Sequence, residues 1–141
     1  VPGNQQASIL AIDFGEKRVG LALAHEISAI ASPLETIING DDLFDKLSEI
    51  VGRENVVSLV VGYPRGLSGQ TTNQTLAVDG FIGQLQDMFD LPITRQDEAL
   101  TSEKAKAELE IRKKPYTKAE IDSLAATYIL EDWLSEHESI V

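Results

Sequence analysis

Residues 56–61, VVSLVV, form an apolar run that is largely β-branched and broken only by Ser58. A strand of this composition has no face to give to water, so it belongs inside a sheet that is covered on both sides. The rest of the chain supplies the covering. Residues 9–12 and 19–24 are two further apolar runs joined by a polar, glycine-bearing turn, which predicts two antiparallel strands. Residues 33–38 fit a third strand, ended by the turn residues Asn39, Gly40 and Asp41, so the sheet is expected to begin as a meander. Asp41 or Asp42 is placed to cap a helix running to about Arg53, with Leu43, Phe44, Leu47, Ile50 and Val51 on one face.

Beyond the central run lies a glycine-rich loop, residues 62–69. Val78, Phe81, Ile82, Leu85, Met88 and Phe89 then mark a helix over about residues 71–90, and residues 92–97 fit a short strand. Thr101 or Ser102 opens a helix that must end before Pro115. Thr117 and Glu120 have capping-box spacing, and Ile121, Leu124, Ala125, Tyr128 and Ile129 form the apolar face of a last helix, expected to fade into an acidic tail from Glu131. The order βββαβαβαα, without repeats or a linker, predicts one three-layer mixed α/β domain over residues 7–138.

The 141 residues include no cysteine, which excludes a disulfide scaffold, and the 43% apolar and 25% charged composition is that of a globular chain. No apolar run approaches the roughly 18–20 residues that span a bilayer. The first residues lack the parts of a signal peptide, so a cytoplasmic location is expected. Twelve basic against 23 acidic residues give a net charge of −11, which opposes nonspecific nucleic-acid binding but leaves room for a local basic site. Candidates for that site are Lys17 and Arg18, Arg65, Arg95, and the run Arg112, Lys113 and Lys114 with Lys118.

Three acids stand where strands or helices meet the sheet: Asp13 at the end of the first strand, Glu98 just past the fifth, and Asp122 in the last helix. Hard oxygen donors of this kind suit Mg²⁺ or Mn²⁺, and with no cysteine and only His25 and His137 for nitrogen a zinc site is disfavoured. Each position has a plainer reading. Asp13 before Phe14 and Gly15 is equally a turn former, and Asp97 with Glu98 is equally a solvated pair. Asp122 fits the plain reading poorly, since Thr117 already supplies the helix cap. Gly15 to Gly20 spells G-x-x-x-x-G, but Leu21 and Ala22 replace the Lys and Ser/Thr of a P-loop. The loop at 62–69 could offer helix amides to a phosphate or simply connect a strand to a helix. A nucleotide-binding relative of the actin superfold is disfavoured because the chain is too short for a second lobe.

Four stretches, AIDFGEKRVGLA at 11–22, VVGYPRGLSG at 60–69, DEALTS at 97–102 and IDSLAA at 121–126, together resemble the YqgF family, RuvC-like pre-16S rRNA nucleases also described as Holliday junction resolvases. The resemblance covers nearly the whole chain. It implies an RNase H-like fold, a mixed five-stranded sheet flanked by helices, with Asp13, Glu98 and Asp122 as catalytic acids holding two divalent ions, Mg²⁺ or Mn²⁺. Such ions activate a water, stabilise the leaving 3′ oxygen and offset phosphate charge. The chain departs from the family where Ala99 replaces the usual arginine, and alanine can neither bind phosphate nor balance the acids. Arg65, Arg95 or Lys17 is a candidate substitute, and His25 is expected at the surface.

The resulting expectation is a metal-dependent endonuclease of structured RNA in pre-16S rRNA maturation. Lys17, Arg18, Arg65, Lys113 and Lys114 would contact substrate. The alternatives are a DNA junction resolvase using the same acids, for which a homodimer would be needed, and a noncatalytic ribosome-assembly module that binds nucleic acid.

Overall fold

The computed structural model describes residues 6–64, 72–98, 101–112 and 115–137. The apolar run forms strand β4 (Val56–Tyr63), in which Leu59, Val60 and Val61 are wholly buried. Strands β1 (Ser8–Phe14), β2 (Arg18–His25) and β3 (Ser32–Ile38) make the expected antiparallel meander. β4 pairs in parallel with β1 on one side and with β5 (Ile93–Asp97) on the other, giving the order β3-β2-β1-β4-β5. Parallel neighbours need crossovers, and helices α1 (Leu43–Arg53) and α2 (Asn73–Met88) provide them.

Strand alternation sorts the sheet into two chemically different faces. One face carries Leu10, Ile12, Val19, Leu21, Leu59 and Val61, packed against Leu47 and Ile50 of α1 and Phe81, Ile82 and Leu85 of α2. Phe14 stacks on Phe81 there, with ring centroids 4.2 Å apart. The opposite face carries Ala11, Ala22, Ala24 and Val60, against Ala126, Ile129 and Leu130 of α4 (Lys118–His137). Because those strand side chains are small, α4 lies close on the sheet. α3 (Thr101–Ile111) packs on α4 through Ala105 and Leu109, which meet Leu124 and Ala125.

The helix ends follow the sequence with two exceptions. Thr117 and Glu120 form the reciprocal box, each backbone N–H donating to the other's side chain at 3.2 Å. Asp42 does precede α1 but makes no capping bond; its carboxylate pairs instead with Lys46 Nζ at 3.3 Å. α4 does not fade at Glu131. It runs to His137, because Trp133 and Leu134 extend its packed face past the acidic residues.

Candidate active site

Asp13 is the next residue after Ile9 and Ala11 on the α4 face of β1, so its side chain leaves the buried part of the sheet on that side. Its neighbour across the β1–β2 ladder is Gly20. A Cβ at Gly20 would overlap the main-chain carbonyl of Asp122, so only glycine lets α4 settle there and bring its acid to the end of β1. Gly62 works similarly in β4. A Cβ on it would fall 2.5 Å from Glu98 Oε2 and 2.5 Å from Ile129 Cδ1, and the space it leaves is taken by the Glu98 carboxyl. Gln96, buried in β5, donates to Glu136 Oε1 at 3.2 Å and ties the far part of α4 to the sheet edge.

These placements bring Asp13 and Glu98 into hydrogen-bond contact. Burial is the main cause that raises both above the ordinary carboxylate range. Asp13 is pushed up to about 6, opposed by the hydrogen bond from Glu98 and assisted by the charge of Asp122. Glu98 is pushed up to about 8 by burial, by the Asp13 charge and by donating its proton to Asp13. Near neutral pH the pair therefore holds one proton, with Glu98 the donor. Asp122 is engaged differently: Arg18 Nε donates to its Oδ2 at 2.6 Å. Among the described residues, no group of three or more His, Asp or Glu side chains is disposed to hold a metal ion. The three expected acids thus converge as a touching pair and a third carboxylate committed to an arginine.

The other candidates divide. Arg18, expected to meet substrate, lies inside the acidic constellation, a role that sequence reasoning missed together with those of Gly20, Gly62 and Gln96. Lys17 is exposed on the β1–β2 turn. The G-x-x-x-x-G stretch is that hairpin turn, closed by Gly15 N donating to the Arg18 carbonyl at 3.0 Å, and no phosphate loop. Arg95 does not replace the missing arginine: its guanidinium bonds Asp79 at 3.3 Å and lies over the Tyr63 ring. His25 is half-buried rather than on the surface, with Nδ1 3.0 Å from Ser8 Oγ. Arg65, Ala99, Lys113 and Lys114 lie outside the described residues, as does most of the loop at 62–69.

The layers and the strand order are those of an RNase H-like fold. RuvC of T. thermophilus, solved with a Holliday junction substrate, shares the fold at a TM-score of 0.55 and 14% identity, over 94% of this chain and 96% of that one. The Fowlpox virus resolvase, solved with Holliday junction DNA, does so at 0.55 and 13%, over 95% and 99%. Residues 7–136 match the family described as RuvX, Holliday junction resolvase, and the chain belongs to that family. Relatives named as candidate pre-16S rRNA nucleases are 40% identical in Amoebophilus asiaticus, over 92% of this chain and 95% of the relative. The corresponding protein of Maridesulfovibrio salexigens is also 40% identical, over 90% and 97%.

Proposed function

We propose that the protein is a metal-dependent endonuclease of structured nucleic acid, acting on precursor 16S rRNA. The observation that carries this reading is the Asp13–Glu98 pair, two carboxyls held in contact and protonated above their ordinary range at the carboxyl ends of the parallel strands β1 and β5, which flank β4. Two half-buried acids that share a proton are a site short of positive charge, and their oxygen donors fit a hard divalent cation, Mg²⁺ or Mn²⁺. Bound there, such an ion supplies Lewis-acid stabilisation of a phosphodiester and a more acidic water. Asp13 and Glu98 would hold it, and Asp122 is the carboxylate available to a second ion.

The chain's own groups do the rest. Asp13 is fixed on the central strand, so the reacting phosphate is oriented against a rigid floor rather than a loop. Glu98, still protonated near neutral pH in the absence of metal, must lose its proton for both carboxyls to serve as ligands. Arg18, the first residue of β2, and the exposed Lys17 on the turn before it supply positive charge on an otherwise acidic protein. A cleft of about 700 Å³ between that turn and the start of α2 is lined by Asn39, Asn73 and Gln74 together with Phe14 and Gly15. Its three amides offer hydrogen bonds to a sugar-phosphate strand, with Glu16 as the carboxylate of the lining. The same reading puts the protein in the cytoplasm, where precursor rRNA is processed.

The names of the relatives support RNA as substrate, and the family description supports a DNA junction. Mn²⁺-dependent cleavage of a precursor rRNA fragment and of a four-way DNA junction, by wild type and Asp13→Asn in parallel, tests the reading. RNA cleavage lost in the variant is expected. Junction cleavage alone would move the substrate to DNA, and cleavage undiminished in Asp13→Asn would remove Asp13 from the site.

A further inference from the structure

The third acid of the site already has a cation. Arg18 and Asp122 meet at 2.6 Å with side chains 32% and 21% exposed, so water screens the pair only in part. Neither partner arrives on a loose arm. Arg18 is the first residue of β2, its carbonyl held by Gly15 N at 3.0 Å, and it shares the α4 face with Gly20 two residues on. At that glycine the backbone of Asp122 rests directly on the strand. Strand and helix therefore present guanidinium and carboxylate to each other as a fixed feature of the fold. The Asp13–Glu98 pair lies beside it, and the Asp122 charge is felt at Asp13.

We propose that Arg18 is a positioning residue that withholds Asp122 from metal ligation, so that the substrate-free protein offers one divalent-cation site, at Asp13 and Glu98, and a second forms only when Arg18 is drawn away by a substrate phosphate. A phosphodiester is the anion best suited to compete for a guanidinium, because it can accept two parallel N–H bonds from it. The exchange replaces one anionic partner of Arg18 by another and leaves the Asp122 side chain uncommitted beside the site. Substrate thereby completes the ligand set that its own cleavage requires. This inference rests on the nuclease reading.

Calorimetric titration with Mn²⁺ alone tests it, using wild type, Asp13→Asn, Arg18→Met and the double variant Arg18→Met/Asp122→Asn. Wild type is expected to take up one ion, and Asp13→Asn none. Arg18→Met should take up a second ion or bind overall about tenfold more tightly, and the added Asp122→Asn change should abolish that gain. A merely structural role for Arg18 would not raise the stoichiometry. Two ions bound by wild type with the affinities of Arg18→Met would overturn the inference while leaving the nuclease reading intact. An absence of Asp13-dependent uptake in every variant would overturn both. If Arg18→Met does not fold, Arg18→Gln, which retains a hydrogen-bond donor without the charge, takes its place with the same expected gain. The wild-type stoichiometry is decisive on its own if it is two.

Discussion

Asp13 and Glu98 keep a proton because the fold gives each of them less water and more negative charge than an unfolded chain would. Their folded-state values, about 6 and about 8, lie above those of free carboxyls, so the folded protein binds protons more tightly than the unfolded one. The stabilising contribution is thus complete below the ordinary carboxylate range and is lost as pH rises through both values. Metal-free protein should melt progressively lower between about pH 5 and pH 9. Asp13→Asn, which removes the repulsion, should flatten that trend and melt on the order of 5 °C higher at the alkaline end, measured by thermal unfolding in chelator. A variant that melts lower than wild type there would show that the pair is not strained. Strand ends and a helix position beyond its cap made the three acids candidates in the sequence, with a turn former and a solvated pair as the plainer readings of Asp13 and Glu98. The Arg18–Asp122 bond was not legible there, because its partners are 104 residues apart and nothing local to either names the other.

At the scale of elements, apolar runs, helical periodicity and boundary residues located the strands and helices of the described residues, and the errors came where charge obscured the pattern. Glu131, Asp132 and Glu136 suggested a tail, yet Ala126, Ile129, Leu130, Trp133 and Leu134 continue a three-and-four spacing straight through them, and α4 follows that spacing. Charges on the outer face of a helix say nothing about where its inner face stops. Asp42 illustrates the converse. A good capping residue at the right position yielded its carboxylate to Lys46, one helical turn on. At α4 the cap is made, and it matters because Asp122 sits in the second turn. Thr117→Ala should cost about 1 kcal/mol in urea unfolding. It should also weaken Mn²⁺ binding in any background where Asp122 takes part. A loss within experimental error would mean that packing against β2 alone fixes the start of the helix.

Over the whole molecule, a net charge of −11 makes a bound cation worth more than its ligand bonds, since it also relieves the repulsion between Asp13 and Glu98. Saturating Mn²⁺ should raise the melting temperature of wild type, by the equivalent of about 2.7 kcal/mol at a hundredfold excess over Kd. Asp13→Asn should show no such shift in the same thermal scans. The fold class was readable from the sequence because one strand without a polar face demands two flanking layers, whereas the closeness of α4 to the sheet depended on Gly20 and Gly62, whose role appears only across strand pairs. The site draws on the first strand, the residue after the last strand, and the last helix, and each piece is seated by another: Gly20 by α4, Glu98 by the gap at Gly62. A chain still being synthesised has the first acid early and the third almost last. No partial product can assemble the three, so the acids come together only once the final helix has docked.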